Sequence, residues 1–288
     1  MSNIFQGLES MGIKGLGELK IYEEEKKPVN NTNAEPSKPA EPVYVESDFI
    51  FDKKIQCPVC DKEFKTKTVK VGKPRLIGSD SDLRPKYAGI DSIKYDAIVC
   101  PNCGYAALSR FFSYMTSAQA KLIKDNVSAT FTGIPVSGDI YTYEEAINRH
   151  KLALYNTIVK SGKNSEKAYT CLKLAWLYRG MKENIPSDAE NKEAFILACD
   201  KYEKEMIKNS FDGFMTARAK ETFPVCGMDT VTLDYLLSDL AVRLEKYDIA
   251  EKFLSGVITS RTTNTRLKEK ARDLRDLIKM KVKKEKTE

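Results

Sequence analysis

The chain has 288 residues, of which 42% are hydrophobic and 31% charged, and this composition predicts a soluble globular protein with one or two packed domains. It excludes a collagen, a mucin and a wholly disordered protein. No stretch approaches the roughly 18 consecutive apolar residues of a membrane span, and the N-terminus lacks the pattern of a signal peptide, so we expect a cytoplasmic protein.

Two elements are predicted before the folded part of the chain. Residues 1–25 mix apolar side chains with glycines and predict an amphipathic segment that is only marginally helical when free. Its anchor spacing suits a helix that lies in a groove, either on this chain or on a partner. The anchors are Ile4, Phe5, Leu8 and Met11. Residues 26–43 contain four prolines and no aromatic residue, and they have too little apolar surface to bury to offset the entropy of ordering, which predicts a disordered linker.

Residues 44–110 predict short strands and turns around two pairs of cysteines. The predicted strands are VYVESDFIF, KKIQ, EFKTKTVKV and YDAIV. Cys57 and Cys60 form CPVC, whereas Cys100 and Cys103 form CPNCG. Because each CxxC turn lets two thiolates converge on one tetrahedral ion, the two turns predict a closed site for one structural Zn²⁺ per chain.

The same four cysteines are compatible with one other kind of metal centre. Disulfides would need an oxidising compartment, and a thioredoxin-type CxxC would occur once in a βαβ context. An iron–sulfur cluster remains an alternative, because four thiolates also hold one. The gap between the pairs exceeds the roughly 15 to 20 residues common in zinc ribbons, so an insertion must lie between them.

A run of bases surrounds the first cysteine pair. Residues 53–75 contain eight Lys and Arg against Asp61 and Glu63, with Phe64 among them. Such a surface suits nucleic acid, although lysines on an exposed strand edge also prevent association between sheets. We therefore expect nucleic-acid binding to be weak and non-specific, confined to these bases and the basic C-terminal tail.

The insertion between the pairs concentrates carboxylates beside an arginine, and we call residues 80–91 the Asp80–Asp91 loop. Carboxylates in such a cluster suit a divalent ion or acid–base chemistry. The interpretation that we favour is a polar loop held by salt bridges and aromatic packing. No Walker, HExxH or GxSxG motif occurs. The residues concerned are Asp80, Asp82, Arg84, Tyr87, Asp91 and Tyr95.

Beyond residue 111 the periodicity becomes helical. Thr142 with Glu145 and Ser187 with Glu190 form capping boxes, and short breaks predict antiparallel hairpins. The predicted helices are 142–160, 165–182, 188–209, 230–244, 247–260 and 265–282. A degenerate tetratricopeptide-like pattern runs through them, best seen in YLLSDLAVRLEKYDIAEKFLSGVI. Its key positions are Leu237, Ala241, Tyr247, Ala250 and Leu254.

The C-terminal tail, which includes the last predicted helix, carries a net charge equal to the +6 of the whole chain. Residues 261–288 contain 11 Lys and Arg against 5 Asp and Glu, while the rest of the chain balances to zero. Acids lie between the bases, so the pattern favours a solvated terminal helix over a nucleic-acid arm. Its apolar stripe is Leu267, Ala271, Leu274 and Ile278.

Four further residues are of types that could take part in catalysis. His150 is the only histidine and lies on an apolar helical stripe, which predicts a core residue. Cys171 and Cys199 lie within helical apolar patterns and are expected to be inert, whereas Cys226 lies in a predicted loop and is worth testing for reactivity.

The sequence resembles the bacterial family called domain of unknown function 2225. The resemblance covers most of residues 44–260 and rests on the MSNIFQGLESMGIKGL start, the CPVC knuckle and above all DSDLRPKYAGIDSIKYDAIVCPNCGYAAL. It implies a zinc-ribbon-like module fused to tetratricopeptide-like helices in a bacterial cytosolic protein, and it implies no activity.

These observations together predict an α+β chain. We expect a zinc-ribbon-like domain at residues 44–110 and a helical-hairpin domain with a basic tail at residues 111–288. The expected function is a non-enzymatic adaptor that binds a protein or peptide on its helical surface. The alternatives are a nucleic-acid-binding regulator and, with less support, an enzyme that uses the Asp80–Asp91 loop.

Overall fold

The computed structural model describes residues 44–134, 138–186 and 190–285, with side chains described up to residue 283. All of them belong to one compact unit that spans residues 43–288. The predictions for residues 1–25 and for the linker at 26–43 lie outside the described residues. The architecture is the predicted α+β one, with small strand hairpins followed by helices.

The strands of the described chain form three separate antiparallel hairpins. Six strands take part, in the order β1 Ile50–Gln56, β2 Glu63–Val69, β3 Leu76–Ser79, β4 Pro85–Tyr87, β5 Ala97–Val99 and β6 Ala106–Leu108. Each odd-numbered strand pairs with the strand that follows it. Both cysteine pairs lie in turns that follow an odd-numbered strand, at the ends of β1 and β5.

The first predicted strand, VYVESDFIF, was wrong except for its last two residues. Residues 46–49 form a 3-10 turn, and β1 begins only at Ile50. The Glu46 carboxylate accepts hydrogen bonds from Lys94 at 2.8 Å and from the Tyr95 hydroxyl at 2.7 Å. These contacts fold residues 46–49 back towards the turn that holds Lys94 and Tyr95, which local strand propensity does not reveal.

Seven α-helices occur in the described residues, and six of them correspond to the predicted ones. They are α1 Ser117–Ile123, α2 Tyr143–Val159, α3 Asn164–Glu183, α4 Lys192–Lys220, α5 Thr230–Arg243, α6 Tyr247–Thr259 and α7 Thr265–Glu285. Helix α4 extends beyond the predicted end at 209 because Phe211, Phe214 and Ala217 continue its buried face. The Thr142–Glu145 capping box is present, with both of its hydrogen bonds. Ser187 lies outside the described residues.

Helices α2 to α7 pack in chain order, each on the next, and α7 also contacts α5. Helix α3 is central, because every residue from 170 to 180 is buried. The apolar stripe of α7 is buried in the same core, so this helix is an integral part of the stack despite its charged outer face. The residues at the predicted repeat positions Leu237, Ala241, Ala250 and Leu254 are buried too. The tetratricopeptide likeness itself stays a prediction.

The strand-rich part contacts the helices directly. Strands β5 and β6 pack on α2, where Ala97, Ala106 and Ala153 allow a close approach. Ile93 belongs to the same buried cluster as the core of the helical stack. The division into two domains at residue 110 stays a prediction, and the packing crosses it.

Candidate metal centre

The first cysteine pair lies in a tight turn after β1. The Cys57 amide donates to the Lys62 carbonyl at 3.1 Å, and the Asp61 amide donates back to the Cys57 carbonyl at 2.9 Å. Asp61 adopts a left-handed conformation with φ +58°, which closes the turn so that the chain continues as β2. The turn holds Cys57 and Cys60 close together while the strands pair beside them.

The second pair lies in a turn with the same hydrogen bonds. The Cys100 amide donates to the Tyr105 carbonyl at 2.8 Å, and the Gly104 amide donates to the Cys100 carbonyl at 3.0 Å. Gly104 has φ +72°, and a Cβ at this position would lie 2.5 Å from the ring of Phe131. Glycine is therefore required here both by the backbone and by the available space.

The two turns bring all four cysteine sulfurs into one cluster. The four Sγ atoms lie within 4.8 Å of one another, with 3.6 Å between Cys57 and Cys103 and 3.7 Å between Cys60 and Cys100. Sulfurs bound at about 2.3 Å to one tetrahedral ion lie about 3.8 Å apart, whereas a disulfide needs about 2.05 Å. The free thiols are thus spaced to hold a four-coordinate metal ion.

Hydrogen bonds among the sulfurs shift their protonation. Those from Cys103 and Cys57 lower the pKa of the Cys100 thiol, and Cys100 in turn raises the pKa of Cys57 and of Cys103. A thiolate is stabilised by thiols that donate to it, but a second negative charge beside it is unfavourable. A divalent cation at the point where the four sulfurs meet removes this restriction by neutralising their charge.

The cluster is enclosed by an apolar core that includes residues of both parts of the chain. The side chains that pack around it include Phe64 of β2, Phe112, Ile123 of α1 and Tyr105. The Tyr105 hydroxyl donates a hydrogen bond to the Phe112 carbonyl at 3.0 Å. Asn156 of α2 donates to the carbonyl of Gly104 at 3.1 Å, which fixes the second turn to the helices. An ion held by four protein sulfurs in this setting has no open position for a substrate.

The Asp80–Asp91 loop forms a second cluster, of a different kind. Asp82 is fully buried and accepts hydrogen bonds from Arg179 at 2.7 and 3.1 Å and from the indole of Trp176 at 3.0 Å. Burial alone would raise the pKa of Asp82, yet the hydrogen bonds and charge of Arg179 hold it below its usual value. Arg179 also donates to Glu203 of α4 at 2.7 Å. We call these residues, with the Arg84 contacts described next, the Asp82–Arg179 network.

Arg84 docks the other end of the loop on the helices. Its guanidinium donates to Asp91 and to Glu183 of α3, both at 3.0 Å, and the Tyr143 hydroxyl donates to Asp91 at 3.1 Å. Nearby, the rings of Tyr95 and Tyr141 stack with centroids 5.1 Å apart. The favoured interpretation, a loop held by salt bridges and aromatic packing, is confirmed. In the described part of the chain only the four cysteines form a group of three or more side chains placed to bind a metal.

The helical members of this network are not predicted by the sequence pattern. Trp176 and Arg179 lie on α3, Glu203 on α4 and Arg243 on α5, where Arg243 pairs with the buried Asp239 at 2.6 Å. One signal was present, because Arg179 interrupts the apolar run LAWLYRG. A charged residue inside a buried helix requires a buried partner of opposite charge.

The remaining candidates for catalysis lie in unreactive surroundings. His150 is fully buried, its Nδ1 lies 2.7 Å from the Ala146 carbonyl, and burial lowers its pKa to about 4. Burial also raises the pKa of Cys171 to about 12 and that of Cys226 to about 11. Burial likewise raises the pKa of Cys199. The Cys226 thiol donates to the Ser165 carbonyl at 3.3 Å. In each case the raised pKa disfavours the thiolate, which is the nucleophilic form of cysteine.

The bases of residues 53–75 are divided between the two faces of the first hairpin. Lys54 lies directly opposite Lys65, and both are exposed. On the same face Lys67 pairs with Asp52 at 3.8 Å, whereas Lys53 points to the other face. The hairpin therefore presents a small basic surface rather than a continuous one.

Comparison with known protein families identifies a match. A family model described as an uncharacterized protein conserved in bacteria (DUF2225) matches residues 50–278, a range that includes both cysteine turns and the Asp82–Arg179 network. No curated protein and no solved structure matches the chain. Among the described residues, no helix combines the length and the apolar character needed to cross a bilayer.

Proposed function

The chain belongs to the DUF2225 family, and we propose that it is a non-enzymatic cytoplasmic adaptor whose fold is stabilised by one structural Zn²⁺ and whose helical surface binds another protein. The enclosed cluster of four sulfurs carries this proposal. With four protein ligands the ion has no free coordination position, so it contributes to folding rather than to chemistry.

The sulfur spacing favours one ion of zinc type. Distances of 3.6 and 3.7 Å between paired sulfurs suit a single tetrahedral centre, whereas a cluster of several irons would hold its ligands further apart. Tetrahedral coordination by four thiolates is a geometry that Zn²⁺ commonly adopts. A thiolate-bound ion, together with the further free thiols Cys171, Cys199 and Cys226, also suits a reducing compartment such as the cytoplasm.

The surroundings of the candidate catalytic groups support a binding role. Arginine and lysine side chains neutralise Asp80, Asp82 and Asp91, and Arg84 is itself buried between carboxylates. His150 is enclosed on α2. These groups stabilise the packing of the insertion on the helices, which is a structural use of the same residues.

Metal analysis of the purified protein tests the zinc centre. We expect one Zn²⁺ per chain in the wild type and in a Cys226→Ser control, and none in Cys57→Ser/Cys100→Ser. Cys226 is a suitable control because its thiol makes one hydrogen bond away from the cluster, which a serine hydroxyl can also make. Iron in place of zinc, or zinc retained by the double variant, would contradict the assignment.

A second candidate function is nucleic-acid binding by the first hairpin. Lys54 and Lys65 face each other across the strands, and like charges at directly opposite positions destabilise a hairpin. A phosphate backbone would relieve that repulsion. We expect weak association that collapses between roughly 50 and 200 mM salt and disappears in Lys54→Glu/Lys65→Glu. A nanomolar, sequence-selective complex at physiological salt would make this the main function.

A further inference from the structure

Helices α2, α3 and α4 form an apolar surface groove, which we call the α2–α4 groove. Leu174 and Tyr178 of α3 form its floor, Tyr155 and Ile158 lie on the α2 side, and Tyr202 lies on the α4 side. The groove encloses about 320 Å³. Tyr155, Ile158 and Tyr202 are 48%, 55% and 47% exposed. Three large apolar side chains in one groove are therefore accessible to a partner.

Another face of the helical stack is already covered by the chain itself. The Tyr235 hydroxyl of α5 donates to the Ser81 carbonyl at 2.8 Å, and Lys270 of α7 donates to Ser79 at 2.9 Å. Asp82, the residue after Ser81, is buried against Arg179 of α3. A partner therefore cannot bind where residues 79–82 lie without displacing a buried ion pair, and the α2–α4 groove is open by comparison.

The groove is lined by Lys151 and Glu205, and two further lysines of α4 that do not line it lie beside Glu205 on the helix surface. Lys151 lies 6.0 Å from the centre of the Tyr178 ring, and Lys201 and Lys208 flank Glu205 on one stripe of α4 at helical spacing. All three lysines are exposed. Within the described residues no carboxylate forms an ion pair with any of them, and Glu205 is the acidic residue that lines the groove. A ligand of complementary charge is acidic.

We infer that the α2–α4 groove binds an acidic amphipathic helix of another protein, an inference that rests on the adaptor function proposed above. On α2 the lining positions Lys151, Tyr155 and Ile158 follow helical spacing, and the groove between two packed helices accepts the ridge of a third. Tyr155 and Tyr202 provide aromatic side chains of the kind that dominate binding energy in interfaces.

Three synthetic peptides of about 18 residues, or five helical turns, serve as probes. One has a leucine stripe at helical spacing with glutamates elsewhere, the second has lysines in place of the glutamates, and the third is a scrambled form of the first. Binding to the zinc-loaded full chain is measured by fluorescence anisotropy. We expect the acidic amphipathic peptide to bind at least about tenfold more tightly than either of the others. Equal binding of the acidic and scrambled peptides, or no binding of the acidic one, would overturn the inference.

Variants locate the binding site. Ile158→Glu and Tyr202→Glu are expected to lower the affinity for the acidic peptide by about tenfold or more, since each places a negative charge among the apolar side chains of the groove. Leu197→Glu is the control, because Leu197 lies on α4, is 72% exposed and does not line the groove. Lys151→Glu/Lys201→Glu should shift the preference towards the basic peptide. A loss in Leu197→Glu equal to that in Ile158→Glu would show that the groove is not the site.

A parallel experiment separates this inference from the adaptor function. Wild type and Ile158→Glu are used for affinity capture from the source bacterium after nuclease treatment, and their masses are measured by light scattering. A specific protein captured equally by both would overturn the groove and leave the adaptor function standing. Absence of any specific protein with the wild type would contradict both. A wild-type dimer that Ile158→Glu dissociates would assign the groove to a second copy of the chain and overturn the inference.

Discussion

The four-cysteine cluster and the Asp82–Arg179 network both connect parts of the chain that are far apart in sequence. They differ in the interactions that make the connection. In the cysteine cluster, two short turns form their own hydrogen bonds and present sulfurs that an external ion can join. In the network all charges belong to the protein, and a loop meets side chains from three helices, because Arg243 of α5 also lies 3.6 Å from the Asp82 carboxylate.

This difference determines what happens when each cluster fails. Loss of a metal ion leaves thiols that can protonate, so the damage is limited to the turns and strands that the ion joins. Loss of one charge from the network leaves its partner buried without compensation, in the most enclosed helix of the fold. The stability that the four-cysteine cluster can provide depends on an added ion. The Asp82–Arg179 network needs no ligand and is part of the core of the fold.

Metal removal is expected to have the largest effect. Structural Zn²⁺ contributes apparent binding free energies on the order of 10 kcal/mol, so a strong chelator in reducing buffer should unfold the regions that the cysteine cluster joins. We expect loss of amide-exchange protection in β1, β2, β5, β6 and α1, while α3 to α7 remain protected. Adding Zn²⁺ should restore the pattern. Unfolding of the whole chain in one step would show that the two clusters are not independent.

Removing one charge from the network should destabilise the helical core. Arg179→Met leaves the buried Asp82 without its partner, and we expect the free energy of unfolding in urea to fall by about 3 to 5 kcal/mol with metal bound. The control is Arg218→Met, because Arg218 pairs with Asp234 at the surface and should contribute about 1 kcal/mol or less. Asp82→Leu/Arg179→Met should recover part of the loss. Equal effects of Arg179→Met and Arg218→Met would contradict a buried network.

The only histidine reports on the helix that contacts both clusters. Helix α2 contacts the second cysteine turn through Asn156 and the network through Tyr143. The His150 pKa of about 4 lies below the unfolded value of about 6.5, so His150 contributes on the order of 3 kcal/mol of stability that is complete above pH 6.5 and lost as the pH falls towards 4.

Imidazole NMR signals should therefore stay constant down to about pH 5, and His150→Gln should flatten the pH dependence of unfolding between pH 6.5 and 4. A histidine that titrates near pH 6.5 in the folded protein would show that α2 is more open than the packing indicates.

The smallest expected changes in stability come from alanine substitutions at two helical glycines, one beside the Asp82–Arg179 network and one away from it. A Cβ at Gly180 of α3 would lie 2.7 Å from the Arg84 guanidinium and from the Tyr143 ring, so Gly180→Ala should destabilise by about 1 to 3 kcal/mol. Gly256 of α6 has open space around it, and Gly256→Ala should stabilise by about 0.5 to 1 kcal/mol. Thermal unfolding measures both, and the zinc content should be unchanged. Destabilisation by Gly256→Ala would contradict the open environment.

Local signals account for what could be predicted from the sequence. The two CxxC turns are complete within about six residues each, and their ligands are therefore visible as a pattern. The helices can also be predicted from residues that are close in sequence, since Thr142 and Glu145 mark a helix start within one turn.

The network has no such pattern. Asp82 and Arg179 are 97 residues apart, and their pairing depends on which loop packs on which helix. The same limit explains the tail helix, whose alternating charges predict a solvated helix although the stripe from Leu267 to Ile278 completes the core. Periodicity identifies an apolar face but does not identify what covers it.

The separation between Asp82 and Arg179 also has a consequence for synthesis on the ribosome. All four cysteines have been made once Cys103 is added, whereas Arg179 is 76 residues further along the chain. At translation rates of 5 to 20 residues per second this interval lasts roughly 4 to 15 s. During that time Asp82 is a hydrated carboxylate on a loop whose two ends can already be joined by metal. The helices are therefore synthesised after the insertion on which they pack. Asp82 can be buried only after Arg179 has been synthesised and can neutralise its charge.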